Sequence, residues 1–133
     1  MILLDTHIWL WWVLGQEDLH PRERGALDAA AAGGRPPALS AISLWEAQML
    51  VAKGRLAVGL APERWLPMAA SSDSVSLLPL DTAVVLALDR LPKSFHGDPA
   101  DRIIVATARA HGLPLATRDT NIRRSRAARL WRP

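Results

Sequence analysis

The chain has 133 residues, half of them hydrophobic and 22% charged. That suits a single domain with a substantial core over residues 1–133 and leaves no room for two. It contains no cysteine, which excludes a disulfide framework, a thiolate metal site and a cysteine nucleophile. The net charge of +3 is unevenly spread: six arginines stand against Asp119 alone from Arg118 onward, while residues 1–117 carry ten basic and twelve acidic side chains.

In chain order, residues 1–4 (MILL) form a short, fully apolar run, the pattern of a central strand of a parallel sheet buried on both faces, with Asp5 at its C-terminal end. Residues 6–14 read as a Trp-rich helix broken by Gly15. Their apolar stretch IWLWWVL is far short of the roughly 20 residues of a membrane span. It also lacks the flanks of a signal peptide, since Asp5 and His7 precede it. The expectation is a soluble, cytoplasmic protein with no membrane association. Pro21 opens a second, Ala-rich helix stopped by Gly33 and Gly34, and RPPALS is a loop or short strand.

Residues 43–53 form a third helix with Gly54 as its left-handed cap, in which Ser43 and Glu46 have the spacing of a capping box. A helix over about 62–70 and the strand-like SVSLLPL follow. Asp81 caps the helix that ends before Pro92, and Asp98 with Pro99 begins one that runs to His111 and ends at Gly112. LPLAT is a second buried strand, ending near Asp119. Short apolar strands alternating with helices predict βαβ units and a parallel sheet covered by helices. There is no internal repeat, low-complexity tract or linker.

Five carboxylates fall at element ends. Asp5 and Asp119 follow apolar strands, and open parallel sheets bind ligands outside the carboxyl ends of their strands. Asp98 and Asp101 share one face of a helix start, and Glu46 lies in the first turn of the third helix. Each has a local reading as well: Glu46, Asp98 and Asp119 as caps or turn formers. Asp5 is harder to explain that way, because an unpaired charge at the edge of a core is costly. Should these groups converge, repulsion would raise their pKa values unless a divalent cation sits among them. All-oxygen ligands favour Mg²⁺ or Mn²⁺ over Zn²⁺, and the matching chemistry is phosphodiester hydrolysis.

Three long stretches, LLDTHIWLWW, SAISLWEAQMLVAKGRL and LPLDTAVVLALDRLP with HGDPADRIIVATARAHGLPLATRDTNI, carry four ordered motifs. In these the chain resembles PIN-domain ribonucleases, and more closely VapC-like toxins of type II toxin–antitoxin systems. The resemblance implies a three-layer α/β/α fold with a central, mostly parallel sheet. It implies Mg²⁺ or Mn²⁺ held by the catalytic acids Asp5, Glu46, Asp101 and Asp119, with Thr6 and Thr117 supporting the site by hydrogen bonds. It further implies cleavage of single-stranded or structured RNA, a cognate VapB-like antitoxin and a homodimer. Asp98 is assigned mainly to capping, with a contact to the metal or its water as the alternative. His7 and His96 have weaker claims. Ala100 stands in DPADR where this subfamily usually carries a bulky apolar residue, which raises a question of local packing.

Trp9, Trp11, Trp12 and Trp45 are many large aromatics for so small a chain, with core packing expected for at least two of them. Trp11 and Trp12 are adjacent and so cannot both face one core from a single helix, which predicts that one or more of these tryptophans contacts an antitoxin helix or a second protomer. The arginines Arg118, Arg123, Arg124, Arg126 and Arg129 could guide RNA phosphates toward the acids, with Arg118, Arg123 and Arg124 the first candidates. An aspartyl-phosphate phosphatase is disfavoured because its second aspartate would fall at His7. A structure-specific DNA nuclease would usually carry more acids. The rival from another class is a catalytically inactive PIN-fold module that binds nucleic acid or protein.

Overall fold

The computed structural model describes residues 1–95 and 97–133, so the reading of His96 lies outside the described residues. The elements in chain order are β1 (Leu3–Leu4), α1 (Thr6–Val13), α2 (Pro21–Ala32), β2 (Ala38–Ser40), α3 (Ala41–Ala52), α4 (Pro62–Ala69), β3 (Ser76–Leu78), α5 (Thr82–Asp89), α6 (Pro99–His111), β4 (Leu115–Ala116) and α7 (Thr120–Ser125).

The sheet runs β3-β2-β1-β4 and is parallel throughout. Leu3 pairs with Ala38 on one side and Leu115 on the other, and Leu4 with Leu39 and Ala116. The two-residue period of a strand then sends alternate side chains to opposite faces. Leu3, Ala38 and Leu115 join Val84, Ile104, Val105 and Ile122 in one core. Leu4, Leu39 and Ala116 join Ile8, Trp9, Leu27 and Trp65 in the other. These two cores make the three layers, and the continuous apolar runs of the strands follow from burial on both faces.

Of the two readings of RPPALS the strand holds, supplying β2 next to β1. Two local features depart from the sequence reading. The third helix starts three residues earlier than its capping box suggests: Ser40 Oγ accepts from Ile42 N at 3.3 Å as the N-cap, which places Glu46 beyond the first turn. Ser43 is therefore a buried position inside α3 and not a cap. The short α7 carries no clear hydrophobic period, so nothing in the pattern announced it; Asp119 caps it by accepting from Ile122 N at 2.8 Å.

Other boundaries follow their sequence signals. Pro99 occupies the first turn of α6, and Gly112 closes it in the left-handed conformation (φ 62°), so that Leu113 N donates to Ala108 O at 2.9 Å. Ala100 is buried within the first turn of α6. Beyond α7 the chain returns to the sheet. Leu115 N donates to Arg129 O at 2.8 Å, Trp131 N donates to Leu115 O at 2.9 Å, and Leu130 bridges Leu115 in parallel. Residues 129–131 thus lie along the outer edge of β4. Among the described residues no helix is long and apolar enough to cross a membrane.

Candidate active site

From β1 the sheet grows through β2 to β3 on one side, and β4 is added on the other after a long crossover. The order reverses between β1 and β4, and such a switch point opens a crevice at the carboxyl ends of the strands. Asp5 and Thr117 are the residues that follow β1 and β4 there, and the strand register sets them side by side.

Asp5 is only 3% exposed and uses both carboxylate oxygens. Oδ1 accepts from Thr6 N at 2.8 Å, capping α1, and Oδ2 accepts from Thr117 Oγ1 at 2.5 Å. Thr117, equally buried, also accepts from Asp119 N at 3.0 Å through the same hydroxyl. One threonine therefore joins the acid after β1 to the acid that opens α7.

A second buried group is built on α1 and α3. Thr6 Oγ1 donates to Glu46 Oε1 and lies 2.8 Å from Ser43 Oγ. Ser43 and Glu46 are one turn apart in α3 and so share a face. Glu46 is half-buried, and its pKa is pushed up from the ordinary 4.5 to about 7. Burial is the largest cause, the Thr6 hydrogen bond opposes it, and the charges of Asp5, Asp101 and Asp98 add to it. That electrostatic contact brings Asp5, Glu46, Asp98 and Asp101 into one neighbourhood. Asp119 is joined to it through Thr117 and does not contribute to the Glu46 shift.

Asp98 is exposed and caps α6, its Oδ1 accepting from Asp101 N at 3.0 Å. Its charge also reaches Glu46, so capping and proximity to the acids coexist. Asp101 lies half-buried in the first turn of α6. His7 Nε2 accepts from Arg118 N at 3.0 Å. In the neutral ring this puts the proton on Nδ1, which stands 3.7 Å from Asp5 Oδ2.

Of the arginines named from sequence, Arg118 is paired with Glu23 at 2.6 Å and Arg123 donates to Thr117 O at 3.1 Å, while Arg124 is exposed on α7. Adjacency does not keep Trp11 and Trp12 off one core. Trp11 and Trp12 both pack, partly buried, on the second core. The Trp12 indole N–H donates to Asp28 at 2.8 Å, and Trp11 meets the edge of His7. The exposed tryptophan is Trp45, at 56%.

Sequence reasoning missed Ser43 as part of the site. The signal was present in its i, i+3 relation to Glu46 but also fits a capping box, and only the start of α3 decides between them. The acids supply oxygen ligands alone, one of them raised to about 7 by burial and by its like-charged neighbours, which is the donor chemistry of a hard divalent cation. Among the described residues no three acidic or imidazole side chains already form a ligand cluster.

Fold and crevice together define a class. The PIN domain model matches residues 2–127, and the chain belongs to the PIN-domain family. It is 35% identical over 129 residues to Ribonuclease VapC22 of Mycobacterium tuberculosis, an alignment that covers 96% of this chain and 94% of that protein. A toxin–antitoxin complex from Klebsiella pneumoniae contains a chain 25% identical, with a TM-score of 0.62 over 90% of this chain and 88% of that one. VapBC2 from Rickettsia felis, crystallised bound to a DNA fragment from their promoter, gives a TM-score of 0.73 over 98% of both chains at 20% identity, a likeness of fold.

Proposed function

We propose that this protein is a Mg²⁺- or Mn²⁺-dependent endoribonuclease acting in the cytoplasm as the VapC-like toxin of a type II toxin–antitoxin pair. The observation that carries the reading is the state of Glu46. A carboxyl raised to about 7 by burial and by Asp5, Asp101 and Asp98 marks an acid cluster that a divalent cation would neutralise. The 35% identity to a named ribonuclease over nearly the whole chain supports the substrate class.

In this reading Asp5, Glu46, Asp101 and Asp119 hold the metal, which when bound activates water and offsets charge on the attacked phosphate. The chain's own hydroxyls do the positioning. Thr117 fixes Asp5 Oδ2 and the amide of Asp119, and Thr6, backed by Ser43, fixes Glu46 Oε1. Each of these hydroxyls is buried, so the carboxylates have few alternative rotamers to visit. Asp98 starts α6 and holds Asp101 at the cluster.

The cognate VapB-like antitoxin and a second copy of the chain are the proposed protein partners. Trp45, exposed on α3 one residue before Glu46, is the side chain best placed to be covered by one of them.

The test is incubation of antitoxin-free protein with end-labelled single-stranded and structured RNAs in Mg²⁺ or Mn²⁺, beside EDTA controls and the Asp5→Asn and Asp101→Asn variants. Cleavage abolished by EDTA and by both substitutions is expected. Cleavage indifferent to them would sink the assignment of the site, and no cleavage together with no Mn²⁺ binding would favour the inactive binding module.

A further inference from the structure

Beside the acids lies a second, basic depression of about 350 Å³, within the size range of ligand pockets. Its walls include Thr117, Arg118, Arg123, Trp131 and Arg132, with Glu23 as the one acidic side chain. Thr117 is shared with the acid cluster, since its hydroxyl donates to Asp5 Oδ2. We propose that this depression is a nucleotide subsite, in which a base of single-stranded RNA stacks on Trp131 while Arg123 and Arg132 take the adjoining phosphates. The proposal rests on the nuclease reading for its direction: RNA seated here runs past Thr117 toward the acids.

Three observations favour this occupant. The first is charge. Among the described residues only Arg118 of these arginines is neutralised, by Glu23 at 2.6 Å, so Arg123 and Arg132 leave a positive surface beside an acidic one. The second is the aromatic. The Trp131 backbone is fixed to the edge of β4 through its N–H to Leu115 O, and the ring, half-buried against the second core, also lines the depression. A fixed aromatic next to arginines is the combination that binds single strands without sequence preference, because every base has a face to stack. The third is preorganisation. Glu23 pins Arg118, the Arg118 N–H donates to His7, and Arg123 donates to Thr117 O, so the segment between the two sites is tied down from both sides.

The experiment uses the whole chain in EDTA and a fluorescein-labelled, mixed-sequence, single-stranded RNA 12-mer, with affinity followed by anisotropy across a salt series. Trp131→Ala is expected to weaken binding about tenfold, and Trp131→Phe to recover most of that loss. Arg132→Ala, which touches no core, is expected to flatten the dependence of log K on log salt by about 0.7 per lost phosphate. Arg64→Ala, on α4 outside the depression, leaves the slope as it was. In Mn²⁺, Arg132→Ala raises KM and spares kcat. Variants that bind like wild type, with the same salt slope, would overturn the subsite, and continued metal-dependent cleavage would then leave the nuclease reading standing. Weakened binding by the variants, with a wild-type chain that cleaves no RNA, would remove the nuclease reading and keep the subsite. Equal binding of a duplex DNA of the same length, with the same losses on substitution, would refute the assignment to single-stranded RNA.

Discussion

Thr117 is the side chain on which most of the candidate site turns. Its hydroxyl serves Asp5 Oδ2 and the amide of Asp119 together. Thr117→Val keeps the shape and removes both bonds, and it leaves a buried carboxylate oxygen without its donor, at a cost of about 1–3 kcal/mol. Metal affinity and cleavage rate are expected to fall roughly 10- to 100-fold, the usual penalty for losing a group that orients a ligand; unchanged Mn²⁺ affinity in calorimetry would refute this. Glu46 predicts a pH dependence. With its pKa raised from 4.5 to about 7, the folded metal-free protein binds more protons than the unfolded chain between those values. Its stability therefore falls as pH rises through that interval. Thermal unfolding in EDTA should show the decline, Glu46→Gln should flatten it, and Mn²⁺ at neutral pH should reverse it. A profile that is the same for wild type and Glu46→Gln would count against the shift.

Helix starts carry three acids of the candidate site: Asp5, Asp98 and Asp119 each cap the helix they open. Capping alone accounts for their spacing, so the spacing was readable in the sequence and a further purpose was not. A capping aspartate and a ligand aspartate look alike until the strand order is known, and the order reverses between two strands that lie 112 positions apart at Asp5 and Thr117. The strands after Met1 and before Asp119, the Pro99 start and the Gly112 stop were legible because each rests on a local rule. The start of α3 was not, because Ser43 with Glu46 fits a capping box while the cap in the structure is Ser40, the last residue of β2. Asp98 separates the two roles experimentally. Asp98→Asn keeps an N-cap acceptor and removes the charge, so stability is expected to hold while the Glu46 pKa drops; Asp98→Ala is expected to cost about 0.5–2 kcal/mol as well. Carbon-detected NMR titration of Glu46 with urea unfolding of both variants reads the difference, and an unmoved Glu46 would confine Asp98 to capping.

At the scale of the molecule, two cores grip one narrow sheet, and the strands contribute only two or three residues each. Positioning at the crevice thus depends on packing from both sides. Leu4→Ala, which opens a void under Asp5, is expected to cost about 2–5 kcal/mol and to lower cleavage with it; full activity in a destabilised Leu4→Ala protein would show that the crevice does not depend on that packing. The sheet's two margins also differ. At β3, Leu77 is exposed and among the described residues no further strand follows, whereas β4 is covered by residues 129–131. The same hydrogen bonds that shield β4 hold the Trp131 backbone at the basic depression. Opening that seam exposes the Leu115 and Trp131 amides together, so their deuterium uptake should follow one common rate. A ligand that seals the seam would slow both amides and leave those of β3 untouched, making isotope exchange at the two margins a readout of occupancy that needs no catalysis.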